Sequence, residues 1–325
     1  MSYVGPGFEP SPPRRSRRRP LAVALVALVP GALLGWVVFE AVGGTGTGSD
    51  GSAGAVGTTA SASASGSPRA SGPSSSGSGD GKASGSPKAS PTPAASAPVV
   101  SGPLKGKVVV IDPGHNPGNF QHTAEINRKV DIGTNRKECD TTGTATNSGY
   151  KEAEFTLDVA HRMRTLLEAQ GATVKLTQDG DRPFGPCVDE RARIGNRAKA
   201  DAVVSVHADG SAAGNRGFHV ILPGSVHEGA ADTRAIVAPS RALGERVAGN
   251  FVRATGSAPS NYIGGGTGLD TRTDLGGLNL STVPKVFIEC GNMRDSKDAA
   301  LLTSGAWRQK AAQGISDGIV SFLRG

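Results

Sequence analysis

The chain has 325 residues, and its 47 glycines and 21 prolines are concentrated near its start, which favours one globular domain over two. Residues 1–103 hold 8 of the 35 Lys/Arg and 4 of the 28 Asp/Glu, so the remainder holds 27 and 24, a net charge of +3. Such a balanced surface excludes the strongly basic face that nucleic-acid binding requires.

The first element predicted along the chain is a membrane span. Residues 14–19 read RRSRRR, and the 20 residues that follow carry no charge before Glu40. An apolar segment of this length behind a basic flank is typical of a transmembrane helix whose basic end stays in the cytoplasm. We therefore expect a basic cytoplasmic tail over 1–19, a signal anchor over 20–42, and an extracytoplasmic C-terminal part held at the cell membrane.

Two other routes of export are compatible with the same residues. A cleavable signal peptide also starts with arginines, and ASASA at 60–64 offers small residues for cleavage. A weak twin-arginine resemblance at 16–19 indicates a third route. All three export the C-terminal part, and cleavage would make it a secreted protein.

Residues 43–103 are predicted to be a disordered linker. The segment consists almost entirely of Gly, Ser, Ala, Thr and Pro, without Leu, Ile, Phe, Tyr or Trp. Such a composition cannot bury enough apolar surface to fold. A linker of this length has an r.m.s. span of roughly 40 Å. It would hold the domain that begins at residue 104 clear of the membrane.

From residue 104 onward, short β-rich apolar runs alternate with helical patterns. Five runs are predicted to be strands: 108–112, 173–177, 202–206, 218–222 and 285–290. Four segments are predicted to be helices: one that opens in SGYKEAEF and ends near Gly171, then 191–199, 240–253 and 307–323. This alternation predicts an α/β fold, a single domain with a mainly parallel central sheet flanked by helices.

Three of these strands end at side chains that suit metal binding or acid–base chemistry. His115 follows the first strand, His207 follows the third, and Glu289 lies near the end of the last. Because open parallel sheets bind ligands beyond the carboxyl ends of their strands, we expect these side chains to meet at one edge. A fourth contributor, Glu152 or Glu154, opens the first helix at that same edge.

Two histidines and one carboxylate, with a position left for water, form the ligand set of hydrolytic zinc sites. Zinc lowers the pKa of its bound water to about 7, and a nearby carboxylate can take the proton. We expect Glu289 to be this base, because an acid inside an otherwise apolar strand needs a partner or a function. Each residue alone has an ordinary structural interpretation, and it is their convergence that predicts a site.

In these motifs the chain resembles the zinc-dependent N-acetylmuramoyl-L-alanine amidases of the amidase 3 family, from about Lys107 to Leu323. The matching sequences, in chain order, are VVVIDPGH, EAEFTL, GATVKLT, RARIGN, ADAVVSVHAD and VPKVFIECGN. Members of the family cleave the amide between the lactyl group of N-acetylmuramic acid and the first L-alanine of the stem peptide. The resemblance therefore implies a peptidoglycan hydrolase with Zn²⁺ as its cofactor.

The resemblance also assigns roles to individual residues. It implies that His115, Glu152 and His207 bind the zinc ion and that Glu289 is the catalytic glutamate. Glu152 is preferred over Glu154 because the family's ligand lies five residues before the helix leucine, which is the leucine of EAEFTL here.

Two segments are longer than the simplest family pattern. These are 116–148 and 256–282, and both are rich in glycine. Loops of such length are usually functional, so we expect them to wall or cover the substrate groove.

The three cysteines follow the predicted membrane segment and would meet an oxidising compartment. Cys139 and Cys187 lie in two loops of the predicted site edge, and we expect a disulfide bond between them, with two free thiols as the alternative. Cys290 follows Glu289, and strand alternation places it on the opposite face as a small buried residue.

The remaining histidines show no ligand spacing and are expected to be structural or surface residues: His122, His161, His219 and His227. Arg191 is expected to form a salt bridge on a helix surface, with contact to a substrate carboxylate as the alternative.

Two other functions are compatible with parts of the pattern. A membrane-tethered wall-binding protein of the same fold, without turnover, would show a broken ligand set, and here no ligand is missing. A zinc carboxypeptidase or deacylase would show a spacing such as His-x-x-Glu, which HNPG at His115 does not provide. The residues do not indicate whether a protein activator or an oligomer is needed.

Overall fold

The computed structural model describes residues 102–325. The strands within this range are β1 (Val108–Pro113), β2 (Lys129–Asp131), β3 (Arg136–Glu138), β4 (Thr173–Leu176), β5 (Ala202–Asp209), β6 (His219–Pro223), β7 (His227–Glu228), β8 (Ala231–Asp232), β9 (Leu269–Arg272) and β10 (Lys285–Asn292). The α-helices are α1 (Thr123–Ile126), α2 (Glu152–Ala169), α3 (Val188–Arg197), α4 (Val237–Thr255), α5 (Gly276–Asn279), α6 (Ser296–Leu302) and α7 (Gly305–Leu323).

The predicted signal anchor at 20–42 lies outside the described residues, as does the linker at 43–103 except for its last two positions. Between residues 102 and 325, no helix combines the length and the apolar character that crossing a membrane requires.

Six strands form the central sheet, in the order β4, β1, β5, β10, β6, β9. The first four run parallel to one another. Strand β6 runs antiparallel to β10, and β9 follows the direction of β6. The predicted α/β fold with a mainly parallel sheet is therefore confirmed. Strand β9 lies within 256–282, where glycine-rich sequence predicted only a loop.

The two faces of the sheet have different surroundings. Val109 and alternate residues of β5, β6 and β10 pack against α2, α4 and α7 in the main hydrophobic core. On the opposite face, Val110 belongs to a smaller cluster with residues of α3. Because side chains alternate along a strand, Asp112, His207 and Glu289 all belong to this second face. The main core therefore lies on one side of the sheet and these three side chains on the other.

Residues 116–148 are folded and include α1 and the antiparallel hairpin of β2 and β3. A small separate core forms there from Val130, Ile132 and the disulfide bond between Cys139 and Cys187, the pair expected from the sequence. The disulfide spans a sequence separation of 48 residues. In the chain-entropy model a loop of this size contributes roughly 4 kcal/mol of stability. Cys290 is a buried free thiol, as expected.

Helices α4 and α7 contact each other closely through two glycines of α7. A Cβ atom built on Gly318 would lie 2.5 Å from the Cα of Val247, and one built on Gly314 would lie 2.8 Å from the Cα of Phe251. Both neighbours are backbone atoms that cannot rotate away. The distance between the two helices therefore depends on the absence of side chains at these positions.

We expect Gly318→Ala to lower the free energy of unfolding by roughly 1–3 kcal/mol, because the added methyl group overpacks this contact. Gly249→Ala is the matched control in α4, since a Cβ there meets no atom within 4 Å. It should raise the free energy of unfolding by about 0.5–1 kcal/mol, because alanine favours the helix over glycine. Urea denaturation followed by circular dichroism measures both, and equal effects would contradict the close contact.

Candidate active site

Gly114 and His115 form the turn after β1, and the contacts of this turn explain why these two residue types follow the buried strand. A Cβ atom on Gly114 would lie 2.3 Å from the imidazole of His207, so only glycine lets that ring lie against the turn. The Thr156 hydroxyl of α2 donates a hydrogen bond to the Gly114 carbonyl oxygen at 2.7 Å. His115 has φ 62°, a left-handed conformation that is uncommon outside glycine. The turn thus brings the His115 ring to 5.0 Å from the His207 ring, centroid to centroid.

His115, Glu152 and His207 come together from three separate elements. The Glu152 carboxylate at the start of α2 lies 3.1 Å from His115 Nε2 and 2.9 Å from His207 Nδ1. Glu152 is buried, whereas Glu154 is exposed, so it is Glu152 that reaches the two rings. One donor atom from each of the three residues lies within 4.8 Å of the others, an arrangement that could hold a metal ion.

Close packing fixes these side chains. The His207 ring stacks on Phe287 of β10, with centroids 5.2 Å apart and an interplanar angle of 13°. Gly143 packs closely against the triad. A Cβ atom built on it would lie 2.7 Å from His115 Cδ2 and 2.9 Å from Glu152 Oε2. The neighbouring Thr144 backbone N–H donates to Glu152 Oε2 at 2.9 Å.

The hydrogen bonds of His115 determine which of its nitrogens faces the triad. Its Nδ1 lies 3.1 Å from the Thr141 carbonyl oxygen and 3.5 Å from Asp140 Oδ1. A carbonyl oxygen only accepts, so Nδ1 carries a proton and the neutral ring has its lone pair on Nε2. Burial opposes the charged form, but Glu152 and Asp140 outweigh it and raise the pKa of His115 well above its ordinary value.

Glu289 lies beside the triad on the neighbouring strand. It is paired with His207 in the register of β10 and β5, and its Oε2 has no hydrogen-bond partner within residues 102–325. Burial, together with the carboxylates of Glu152 and Asp209, raises the pKa of Glu289 well above its ordinary value. A divalent cation held by the triad would oppose this shift and favour the ionised carboxylate.

These residues line a cavity of about 430 Å³ on the second face of the sheet. Its lining also includes Thr141, Gly143 and Thr144 of the segment before α2, and Arg272 and Leu275 of the segment after α4. A second cavity of about 280 Å³ lies under the β2–β3 hairpin and also reaches both histidines. Segments 116–148 and 256–282 therefore line the groove, as their length indicated.

The site occurs in a chain with recognisable relatives. The family model for N-acetylmuramoyl-L-alanine amidase, Amidase_3, matches residues 109–321, from β1 to α7. The chain belongs to this family. It is 40% identical over 237 residues to N-acetylmuramoyl-L-alanine amidase Rv3717 of Mycobacterium tuberculosis, which covers 71% of this chain and 94% of that protein. The resemblance seen in the sequence is confirmed.

Solved structures of relatives share the fold. The crystal structures of the N-acetylmuramyl-L-alanine amidase Ami1 from Mycobacterium smegmatis and Mycobacterium abscessus match with TM-scores of 0.62 and 0.63, each at 40% identity. They cover 68% of this chain and 98% and 100% of those chains, respectively. The match thus spans nearly the whole of both crystallised chains.

Behind His115 lies a buried chain of charges that the sequence did not reveal. Arg191 was expected on a helix surface, which is wrong, since it is 4% exposed. Its guanidinium binds Asp112 at 2.8 Å and Asp140 at 3.0 Å, and it donates to the carbonyl oxygens of Pro113 and His115. Helix α3 begins at Val188, earlier than predicted, and Arg191 and Ala192 lie on its buried side. Arg191 therefore holds the turn that carries His115.

Electrostatics keep this chain ionised. Burial opposes ionisation of Asp140, but Arg191 and His115 outweigh it and lower its pKa to about 2. Burial likewise opposes ionisation of Asp112, and Lys285 and Arg191 overcome it, so that its pKa falls well below the ordinary range. The charges thus alternate in sign from Lys285 through Asp112 and Arg191 to Asp140, which lies beside the ring of His115. Each ion in this series has a partner of opposite charge.

Two further polar side chains, His219 and Tyr262, lie near Glu289. His219, expected to be structural or on the surface, is buried and is the register partner of Glu289 in β6. Burial lowers the pKa of His219, which favours its neutral form. Tyr262 donates to Asp209 Oδ2 at 2.6 Å, and burial and Asp209 raise its pKa, so it stays protonated. The alternation in FHVIL could have placed His219 on the active face, whereas Tyr262 lies in a segment without periodicity.

The donor set fits a zinc ion. Two imidazoles and one carboxylate are the ligands of hydrolytic zinc sites, and a hydrogen bond to the far nitrogen of a histidine orients such ligands. His115, Glu152 and His207 provide the ligands. Asp140 and Thr141 lie beside Nδ1 of His115 and provide the orienting contact.

We expect Asp140→Asn to weaken zinc binding roughly ten- to hundredfold. Loss of a carboxylate next to a ligand histidine lowers the basicity of the imidazole and leaves its orientation less fixed. Competition with a chromophoric chelator measures the affinity. Asp179→Asn is the matched control, since Asp179 also pairs with a histidine and an arginine, His161 and Arg164, but on the surface. Unchanged affinity in a folded Asp140 variant would show that the Thr141 carbonyl orients the ring alone.

Proposed function

We propose that this protein is a peptidoglycan hydrolase that cleaves the amide bond between N-acetylmuramic acid and the L-alanine of the stem peptide. The observation that carries the proposal is the convergence of His115, Glu152 and His207 beside the unpartnered carboxyl of Glu289 in one open cavity. Membership of the N-acetylmuramoyl-L-alanine amidase family supports the choice of amide. The names of the similar mycobacterial proteins agree with it.

In this proposal His115, Glu152 and His207 hold a zinc ion. Bound zinc supplies a Lewis acid that polarises the amide carbonyl and lowers the pKa of water. The protein's own groups prepare the ligands: Asp140 and Thr141 hold His115 Nδ1, and stacking on Phe287 fixes the plane of His207.

Glu289 moves the proton. Its Oε2 accepts the proton of the water whose oxygen attacks the amide carbon, and then gives that proton to the amide nitrogen as the C–N bond breaks. The products are the free lactyl carboxylate and a stem peptide with a free α-amino group. Because Glu289 Oε2 has no partner in the described range, no protein hydrogen bond must break before the proton arrives.

The domain is also proposed to act outside the cytoplasm. The basic segment 14–19 and the apolar segment after it would anchor the chain in the membrane, and residues 43–103 would tether the domain to it. Peptidoglycan lies on that side of the membrane, so enzyme and substrate would share a compartment.

Digestion of purified sacculi by the full-length protein, with mass spectrometry of the products, tests the reaction. The unaltered protein should release intact stem peptides with a free N-terminal alanine. Glu289→Gln should retain zinc yet lose activity roughly a hundred- to ten-thousandfold, because the proton acceptor is gone. His115→Ala should lose both zinc and activity. Glu154→Gln is the control, since this exposed glutamate on the same helix should change neither.

Other outcomes would contradict the proposal in specific ways. Equal activity in Glu289→Gln would exclude this residue as the base. Products cut within the glycan or between peptide residues would indicate another hydrolase. Binding to sacculi without release of any product would support the alternative, a non-catalytic wall-binding protein of the same fold.

The anchor can be tested separately by cell fractionation and intact-mass measurement. We expect the protein in the membrane fraction to retain residues 1–42, because an uncleaved anchor keeps its apolar segment. A shorter chain in the medium that begins after residue 64 would instead identify a cleaved signal peptide.

A further inference from the structure

Arg272 occupies a particular place in the groove. It is the last residue of β9, and it is the sole arginine or lysine that lines the cavity shared by His115, Glu152, His207 and Glu289 within residues 102–325. Its side chain is 39% exposed, so a molecule in the cavity can reach it. The role of this residue was not predicted, because its segment showed neither strand nor ligand spacing.

Asp274 holds the guanidinium of Arg272 along one edge. Arg272 Nε donates to Asp274 Oδ1 at 2.8 Å, and Nη2 donates to Asp274 Oδ2 at 2.7 Å. This pair uses one N–H on each of two nitrogens of the planar fork. The Nη1 nitrogen has no protein acceptor in the part of the chain that the structure describes, and Nη2 keeps a second N–H. Arg272 therefore presents two parallel donors, the geometry that binds a carboxylate in bidentate fashion.

The charges around this fork favour an anion there. Asp274 Oδ2 also pairs with Lys137 of the hairpin at 3.0 Å, so two cations share one carboxylate and the group carries a net charge of +1. The hydrogen bond from Arg272 lowers the pKa of Asp274 well below its ordinary range, which keeps this charge fixed. Asp274 thus orients the guanidinium, and Arg272, Lys137 and Asp274 together keep one positive charge.

Arg272 differs in sign from the acidic side chains of the cavity, which are Glu152, Asp209 and Glu289. It is therefore the side chain of this lining that offers a substrate carboxylate a permanent positive charge.

The chemistry of the substrate identifies which part reaches Arg272. In an N-acetylmuramoyl peptide the lactyl carboxyl is consumed in the scissile amide, and the sugars are neutral. The nearest carboxylate therefore lies on the peptide side, on the γ-linked D-glutamate that follows the first L-alanine. When that α-carboxyl is amidated, the same position carries no charge.

We propose that Arg272 is a specificity-determining residue that binds the free α-carboxylate of the second stem residue and selects against its amidated form. The inference rests on the proposed function for the identity of the substrate. It assigns the part of the groove around Arg272 to the peptide.

The test compares two substrates that share the scissile amide. These are N-acetylmuramoyl-L-alanyl-γ-D-glutamyl-L-lysine and the same compound with the α-carboxyl as a carboxamide. The full-length protein should cleave the free carboxylate form with a kcat/KM roughly ten- to hundredfold higher, as a charge-assisted bidentate contact predicts. Arg272→Gln should bring the ratio close to one through a higher KM for the free form.

Two further variants separate the contact from a structural effect. Arg272→Lys keeps the charge without the planar fork and should restore part of the preference. Arg234→Gln is the matched control, because Arg234 forms the same two-pronged contact with Asp232 on the surface, at 2.8 and 2.7 Å. It should leave the preference unchanged.

Three outcomes would overturn the proposal. The first is an unaltered protein that cleaves both forms equally, and the second is a preference that survives in Arg272→Gln. The third is an equal loss on both substrates in a folded Arg272→Gln, which would place the residue at the reacting amide instead.

Calorimetry can measure the binding of the two stem peptides alone, L-alanyl-γ-D-glutamyl-L-lysine and its amidated form. This measurement tests the carboxylate contact independently of the cleavage reaction. Tighter binding of the free form, lost in Arg272→Gln, would support the carboxylate contact even if neither muramoyl compound were cleaved, in which case only the proposed function fails. Equal binding of the two peptides would overturn the contact whatever the activity.

Discussion

The buried carboxylate of Asp112 is the contact on which the active face of this protein depends. It accepts hydrogen bonds from Thr177 and Ser205, each at 2.6 Å, from Arg191 at 2.8 Å and from Lys285 at 3.1 Å. These donors come from α3, β5, β10 and the residue after β4. Burying an ion is costly unless it is paired and fully hydrogen-bonded, and this one is both. The contact fixes the register of four neighbouring strands and carries that order, through Arg191, to the turn of His115.

Much of the fold and the site follows from local pattern. The apolar runs at β1, β5 and β10 are long enough to predict buried strands, and the parallel topology then brings His115, His207 and Glu289 to one end. Glu289 stands out because an acid interrupts apolar residues, and Gly114 is explained once the His207 ring is seen to fill its place. The strands and the positions of these side chains are predictable because each depends on a few adjacent residues.

The rest depends on partners that are distant in sequence. Arg191 reads as a surface residue because nothing near it indicates Asp112, which is 79 residues away, or Asp140, which is 51 residues away. Strand β9 escapes prediction because Gly264, Gly265, Gly266 and Gly268 crowd its start, and its order comes from pairing with β6. A sequence pattern can show that a charged residue stands at an unusual position. Which partner its side chain contacts depends on the tertiary structure.

The reversal of strand direction between β10 and β6 divides the sheet into two parts. The parallel part and the start of α2 contribute His115, Glu152, His207 and Glu289 to the cavity, whereas the reversed edge contributes Arg272. In the proposed function the first part carries the reaction and the second contacts the peptide. Substitutions along the outer edge would then change which peptide is accepted without moving the reacting groups.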